Sequence, residues 1–178
     1  MKQQQVETEL LVMAAQQGNA DAFTLLFHRY QKRLLQYACK FSGNEDIARE
    51  AVQDTWLETA NNIRKLSDPR AFRSWLYKKV RWRVLDQIRK QCPVENLDTE
   101  DLPEQVDDST AIDTNDLVRE GLRRLPDLEK EMLQFFYLEE MSIAEISVVL
   151  DIPIGTVKSR LSKARNLLKQ KLSGEDMQ

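Results

Sequence analysis

Six lysines and arginines stand between Gly155 and Leu172, with no acidic residue among them. Their spacing says more than their number. If Ile154, Val157, Leu161, Ala164 and Leu168 form the inward stripe of one helix, then Thr156, Lys158, Ser159, Arg160, Ser162, Lys163 and Arg165 are left on its outer side. Cations and small hydroxyls on one helical face suit the phosphates and base edges of a DNA major groove. A second basic block lies upstream: Arg64 to Cys92 holds ten Lys/Arg against two Asp. Its Arg73, Lys78, Lys79, Arg81 and Arg83 can hold phosphates. A third pattern has the opposite sign. Asp46, Glu50, Gln53 and Asp54 recur at i, i+4, i+7 and i+8, so one helix carries them as an acidic, amide-bearing stripe fit for a basic protein surface.

These patterns need helices to carry them, and the sequence supplies helices. Five glycines and five prolines are few for 178 residues, which argues for long, seldom broken elements. A first helix is expected over Glu7–Gln17, closed by Gly18-Asn19. Asp21 can cap a second, in which Ala22, Phe23, Leu26, Phe27, Tyr30, Leu34 and Tyr37 make one apolar face. A third is expected from Glu45 to Ile63, buried through Ile47, Ala51, Val52, Thr55 and the run Leu57 to Ala60. Asp68-Pro69 starts a fourth, about Arg70 to Lys90, with Phe72, Trp75, Leu76, Val80, Val84 and Ile88 at helical spacing. From Pro93 to Asn115 there are eight Asp/Glu, no Lys/Arg and two prolines, the composition of a tether. Helices resume near Asp116, and Pro126 opens another over Asp127–Leu138. Ser142-Ile143-Ala144-Glu145 fits a capping box, and Asp151-Ile152-Pro153 ends that helix in a tight turn before the basic one. The expected fold is all-α: two small helical domains, 1–92 and 116–178, joined by an acidic linker, 93–115. The second ends in a helix-turn-helix.

The totals exclude several functions. A net charge of −3 argues by itself against a nucleic-acid binder, but the asymmetry between the basic blocks and the acidic connector reverses that argument. No apolar run approaches the roughly 18 residues of a membrane span, and Met1–Gln5 lacks a signal-peptide core, so a cytoplasmic protein without direct membrane insertion is expected. Cys39 and Cys92 then read as free thiols. With these two cysteines and a single histidine, His28, no metal site is expected. No paired carboxylates, phosphate loop or nucleophile-base pair stands out; neither catalytic residues nor a cofactor are expected.

The run Pro153-Ile154-Gly155-Thr156-Val157-Lys158-Ser159-Arg160-Leu161-Ser162-Lys163-Ala164-Arg165 resembles the hallmark segment of region 4 in extracytoplasmic-function (ECF) sigma factors of the sigma-70 family. Leu125-Pro126 and the Ser-Ile-Ala-Glu-Ile run match upstream. Asp46-Ile47-Ala48-Arg49-Glu50-Ala51-Val52-Gln53-Asp54-Thr55-Trp56 resembles region 2.2, and Phe72-Arg73-Ser74-Trp75-Leu76-Tyr77 resembles the start of region 2.3–2.4. One stretch departs: where the family often places an apolar residue and an Asn after Trp-Leu, this chain has Lys79 and Trp82.

The resemblance implies a sigma factor, not an enzyme, that directs core RNA polymerase to promoters in a stress or signal response. Asp46, Glu50, Gln53 and Asp54 would dock on the coiled coil of the largest catalytic subunit. Arg73, Lys78, Lys79, Arg81, Trp82 and Arg83 would serve reading and melting of the −10 element, with a flipped-base pocket in the loop from Ile63 to Arg70. Lys158, Ser159, Ser162 and Lys163 would face −35 bases. Thr156 would sit near the DNA backbone, and Arg160 and Arg165 toward phosphates or packing. An anti-sigma factor is implied as a further partner. Two readings stay open for Trp82, stacking on DNA or contact with a partner protein. The alternative for the whole chain is a helix-turn-helix regulator that never joins polymerase.

Overall fold

The structure, a computed structural model, describes residues 2–91 and 125–172, which fall into two compact units. The acidic segment 93–115 and the helix expected from Asp116 lie outside the described residues.

The first unit packs α1 (Lys2–Gln16), α2 (Ala20–Ser42), α3 (Glu45–Asn62) and α4 (Phe72–Gln91) around one core. α1 begins five residues earlier than its apolar pattern. Asn19, not Asp21, caps α2, accepting from the Ala22 amide at 3.0 Å. Gly43 ends α2 in the left-handed region at φ +63°, where its N–H reaches the Cys39 carbonyl at 2.9 Å. Asn44 then caps α3, accepting from the amides of Asp46 and Ile47 at 2.9 and 3.1 Å. Leu26, Leu34, Tyr37, Ala51, Phe72, Leu76, Tyr77, Val80 and Val84 are all fully buried. Tyr37 sits between the rings of Phe41 and Tyr77, with centroids 5.7 and 5.5 Å away. Phe23 and Phe27 are half-buried and close on the indole of Trp56 at 5.9 and 5.1 Å.

One expectation needs correction. Leu57 is 58% exposed and Ala60 is exposed too. The inward stripe of α3 runs through Ile47, Ala48, Ala51, Val52, Thr55, Trp56 and Thr59, and a helix cannot also turn positions 57 and 60 inward. Between α3 and α4 the chain makes two short 3₁₀ turns, Ile63–Lys65 and Pro69–Ala71. The Gln16 side-chain amide holds this loop to α1 by donating to the carbonyls of Ile63 and Leu66 at 3.0 and 2.7 Å.

The second unit begins with α5 (Asp127–Leu133), which runs into a π-helical turn, Gln134–Leu138. There the Glu139 amide reaches the Gln134 carbonyl at 3.1 Å. α6 (Ile143–Leu150) and α7 (Ile154–Leu172) follow. The capping box forms: the Glu145 amide donates to Ser142 Oγ at 3.2 Å, and the Ser142 amide donates to Glu145 Oε2 at 2.9 Å. The turn after α6 places Asp151 at φ +59° and is tied by Ser147 Oγ donating to the Ile152 carbonyl at 2.6 Å. Met132, Phe135, Ile146, Val157 and Ala164 are fully buried, with Leu161 nearly so. Ile154 is the exception to the expected stripe. As the first residue of α7 it is 48% exposed, and the buried row starts one turn further in. The Leu168 side chain is not among those described.

Candidate nucleic-acid interface

α7 is positioned from beneath and left open above. Val157, Leu161 and Ala164 seat it on α5 and α6, while Lys158, Ser159, Ser162, Lys163 and Arg165 are exposed. Thr156 is half-buried at the helix entrance, and its carbonyl accepts from Ser159 Oγ at 3.0 Å. Gly155 beside it faces open space: a Cβ placed there would meet nothing within 4 Å. Neither Lys158 nor Lys163 makes an ion pair among the described residues. The two arginines are held by protein instead. Arg160 reaches back to Glu129 of α5 at 3.5 Å, and Arg165 lies over the Phe136 ring at 4.9 Å.

α4 is built differently. Lys79 and Arg83, one turn apart, both bind Glu58 of α3; the Arg83 contact is 3.1 Å. Their side chains are only 20% and 28% exposed. The Lys79 hydrogen bond, helped by Arg83 and opposed by burial, lowers the Glu58 pKa below its ordinary value. Lys79 lies over the Trp75 ring at 4.7 Å and Arg83 over the Trp82 ring at 5.2 Å. Arg81 covers Phe41 at 5.4 Å. Lys78 is exposed, and Arg73 half-buried. In the preceding loop, Asp68 binds Arg70 at 3.0 Å, and that hydrogen bond lowers the Asp68 pKa.

On α3 the acidic stripe survives as a surface: Asp46, Glu50 and Gln53 are exposed. Asp54 is half-buried and stands 4.0 Å from Arg83. Sequence reasoning missed Glu58 and Glu129, whose partners lie 21 to 31 residues away. A hint existed for Glu58, which follows Asp54 by one helical turn on the flank facing the basic block.

The match to known families is divided as the chain is. Residues 26–92 match "Sigma-70 region 2" and residues 115–168 match "Sigma-70, region 4". The ECF RNA polymerase sigma factor SigW of Bacillus subtilis is 27% identical over 90% of this chain and 94% of its own. The ECF RNA polymerase sigma-E factor of Haemophilus influenzae is 29% identical over 95% of this chain and 97% of its own.

The chain belongs to the ECF sigma factors of the sigma-70 family. Solved structures share its fold. CnrH, in complex with the cytosolic domain of CnrY, aligns at TM-score 0.65 with 24% identity over 96% of this chain and 99% of that one. The sigma factor RpoE of Bartonella quintana, in complex with the anti-sigma factor NepR, aligns at TM-score 0.60 with 22% identity over 85% and 96%. In sigma-factor terms, α3 and α4 fall in region 2, and α5 to α7 in region 4. Among the described residues no helix is long and apolar enough to cross a membrane.

Proposed function

We propose that residues 1–92 form the unit that binds core RNA polymerase and reads the −10 element, that 93–115 link, and that 116–178 form the −35 reader. One observation carries this reading most directly: α7 is seated by a capped partner helix and turns Lys158, Ser159, Ser162 and Lys163 outward together. Such a helix can enter a major groove with lysines toward guanine and hydroxyls allowing close approach. Thr156 lies where backbone phosphate would pass. Arg160 and Arg165 act through packing that fixes the register of α7.

In the first unit, Asp46, Glu50, Gln53 and Asp54 meet a basic helix of the largest polymerase subunit. Arg73, Lys78 and Arg81 supply cations toward the −10 strand, and Lys79 and Arg83 shape the surface around Trp75 and Trp82. The protein works in the cytoplasm and does no covalent chemistry; phosphodiester synthesis belongs to the polymerase. An anti-sigma factor that covers both units when the signal is absent completes the partner set. A protein of that kind is bound to the Bartonella quintana RpoE.

The deciding experiment is run-off transcription from a genomic fragment library with core polymerase and the purified chain. Promoter-specific transcripts are expected; their absence on every fragment sinks the reading. Substituting Gln53 and Asp54 together separates it from a regulator that acts without polymerase, because only a sigma factor then loses core association.

A further inference from the structure

The loop between α3 and α4 carries charge on a slight frame. Arg64, Lys65 and Arg70 stand exposed on it, and like charges on a short loop repel one another. Its backbone closes on itself in two short turns. The Leu66 amide donates to the Ile63 carbonyl at 3.2 Å, and the Ala71 amide to the Asp68 carbonyl at 3.0 Å. Between these turns the chain is extended, with Leu66 at φ −72°, ψ 110° and Asp68 at φ −120°, ψ 108°. Extended backbone pairs with nothing in its own stretch, so a neighbour must supply the hydrogen bonds that hold it.

That neighbour is the end of α1. One atom, Gln16 Nε2, donates to the carbonyls of Ile63 and Leu66 at 3.0 and 2.7 Å, across 47 and 50 residues of chain. A primary amide suits the task because its single nitrogen bears two N–H groups. The two carbonyls flank the first turn, so one side chain fixes both the turn and the extended stretch that leaves it. A second contact comes from just beyond α1. Gly18 stands at φ +95°, and Arg64 Nη2 lies 3.3 Å from where a Cβ would be. A side chain at position 18 would push that guanidinium aside.

Phosphate contacts carry no sequence information, but they set the register in which other side chains meet the bases. A loop that moves would move Arg64 and Lys65 with it and blur that register. Resting on the −10 role proposed above, we infer that Gln16 is a positioning residue for promoter reading, acting through the loop Ile63 to Arg70. A residue of the first helix thereby tunes how sharply the −10 sequence is told apart, without touching DNA.

The test uses the full-length chain. Q16M removes the donors and keeps a helix former of similar shape, and Q16E keeps the size but can only accept. Q16K returns N–H donors on a side chain one bond longer. In the free chain, amide exchange at Leu66 and Ala71 quickens about tenfold in Q16M and Q16E, the scale of a lost hydrogen bond, and stays near wild type in Q16K. With core polymerase, run-off transcription is read from one promoter and from versions with single base changes in its −10 element. The preference for the parent sequence shrinks about threefold in Q16M, with core association unchanged, and returns in Q16K.

Wild-type exchange at Leu66 in Q16M overturns the tie. Quickened exchange with an unchanged preference overturns the positioning role, as does a Q16M chain that loses core association, since Gln16 then serves only the fold. A Q16K chain that behaves as Q16M does overturns the assignment to hydrogen-bond donation. No transcript from the wild type on any fragment removes the −10 reading and this inference with it, while quickened exchange in Q16M would still mark Gln16 as the tie of the loop.

Discussion

On α4, Lys79 and Arg83 lie against Glu58 of a neighbouring helix and beneath two tryptophan rings. On α7, Lys158 and Lys163 stand exposed without an ion pair among the described residues. The two helices are similarly rich in cations. The difference comes from their neighbours: α3 brings a carboxylate onto the basic side of α4, whereas α5 brings Glu129 to Arg160 and, among the described residues, no acid pairs with Lys158 or Lys163. Positive charge along a helix therefore does not say which cations are offered to a ligand. The acid on the next helix does.

The sharpest way to break this contrast is to remove both outward lysines of α7. Lys158→Ala with Lys163→Ala should weaken binding of a −35 duplex by roughly a hundredfold, at about 1–3 kcal/mol per base-reading side chain. The thermal midpoint of the second unit should stay put. A drop in that midpoint would mean these lysines also stabilise the protein. The counterpart on α4 is Glu58→Gln, which should cost on the order of 1 kcal/mol of stability in urea, because two partly exposed cations lose a charged partner. Its pH dependence gives the sign. The fold lowers the Glu58 pKa, so its contribution is complete above pH 4.5 and is lost as pH falls through the lowered folded value. The gap between E58Q and the wild type should close in acid; a gap that widens would refute the ion-pair account.

Ser142→Ala tests the seat of α7. It should destabilise the second unit by about 1 kcal/mol through loss of the cap on α6, seen in amide exchange along that helix. Gly155→Ala should do the reverse, stabilising α7 by about 0.5–1 kcal/mol because the added methyl meets nothing. If −35 binding nonetheless weakens, the open space is kept for the DNA backbone. The smallest effect belongs to Arg49→Ala. The exposed pair with Glu45 should be worth no more than about 0.5 kcal/mol in a melting comparison.

Local pattern made much of this legible. The capping box at Ser142 and Glu145, the row Val157, Leu161 and Ala164, and the buried face of α4 all follow from residues within a turn or two of each other. What escaped was either a matter of phase or of distance. Leu57 was expected inside as part of an apolar-looking run, but the register set by Thr55 and Thr59 turns it out. Ile154 fits the inward spacing yet stands at the helix entrance, before the buried row starts. The ties of Glu58 to Lys79 and Arg83, and of Glu129 to Arg160, depend on how separate helices pack. No spacing within one helix encodes them.

Glu58 also bears on how the surface of α4 can change between descendants of such a chain. A lineage cannot exchange Lys79 or Arg83 freely, since either change leaves the carboxylate short of a cation, and a change at 58 leaves both cations unmatched. Positions 58, 79 and 83 should therefore be inherited as a set. Among close relatives, substitutions at these sites are expected to arrive together, while Lys158 and Lys163, tied to no ion-pair partner among the described residues, can vary one at a time.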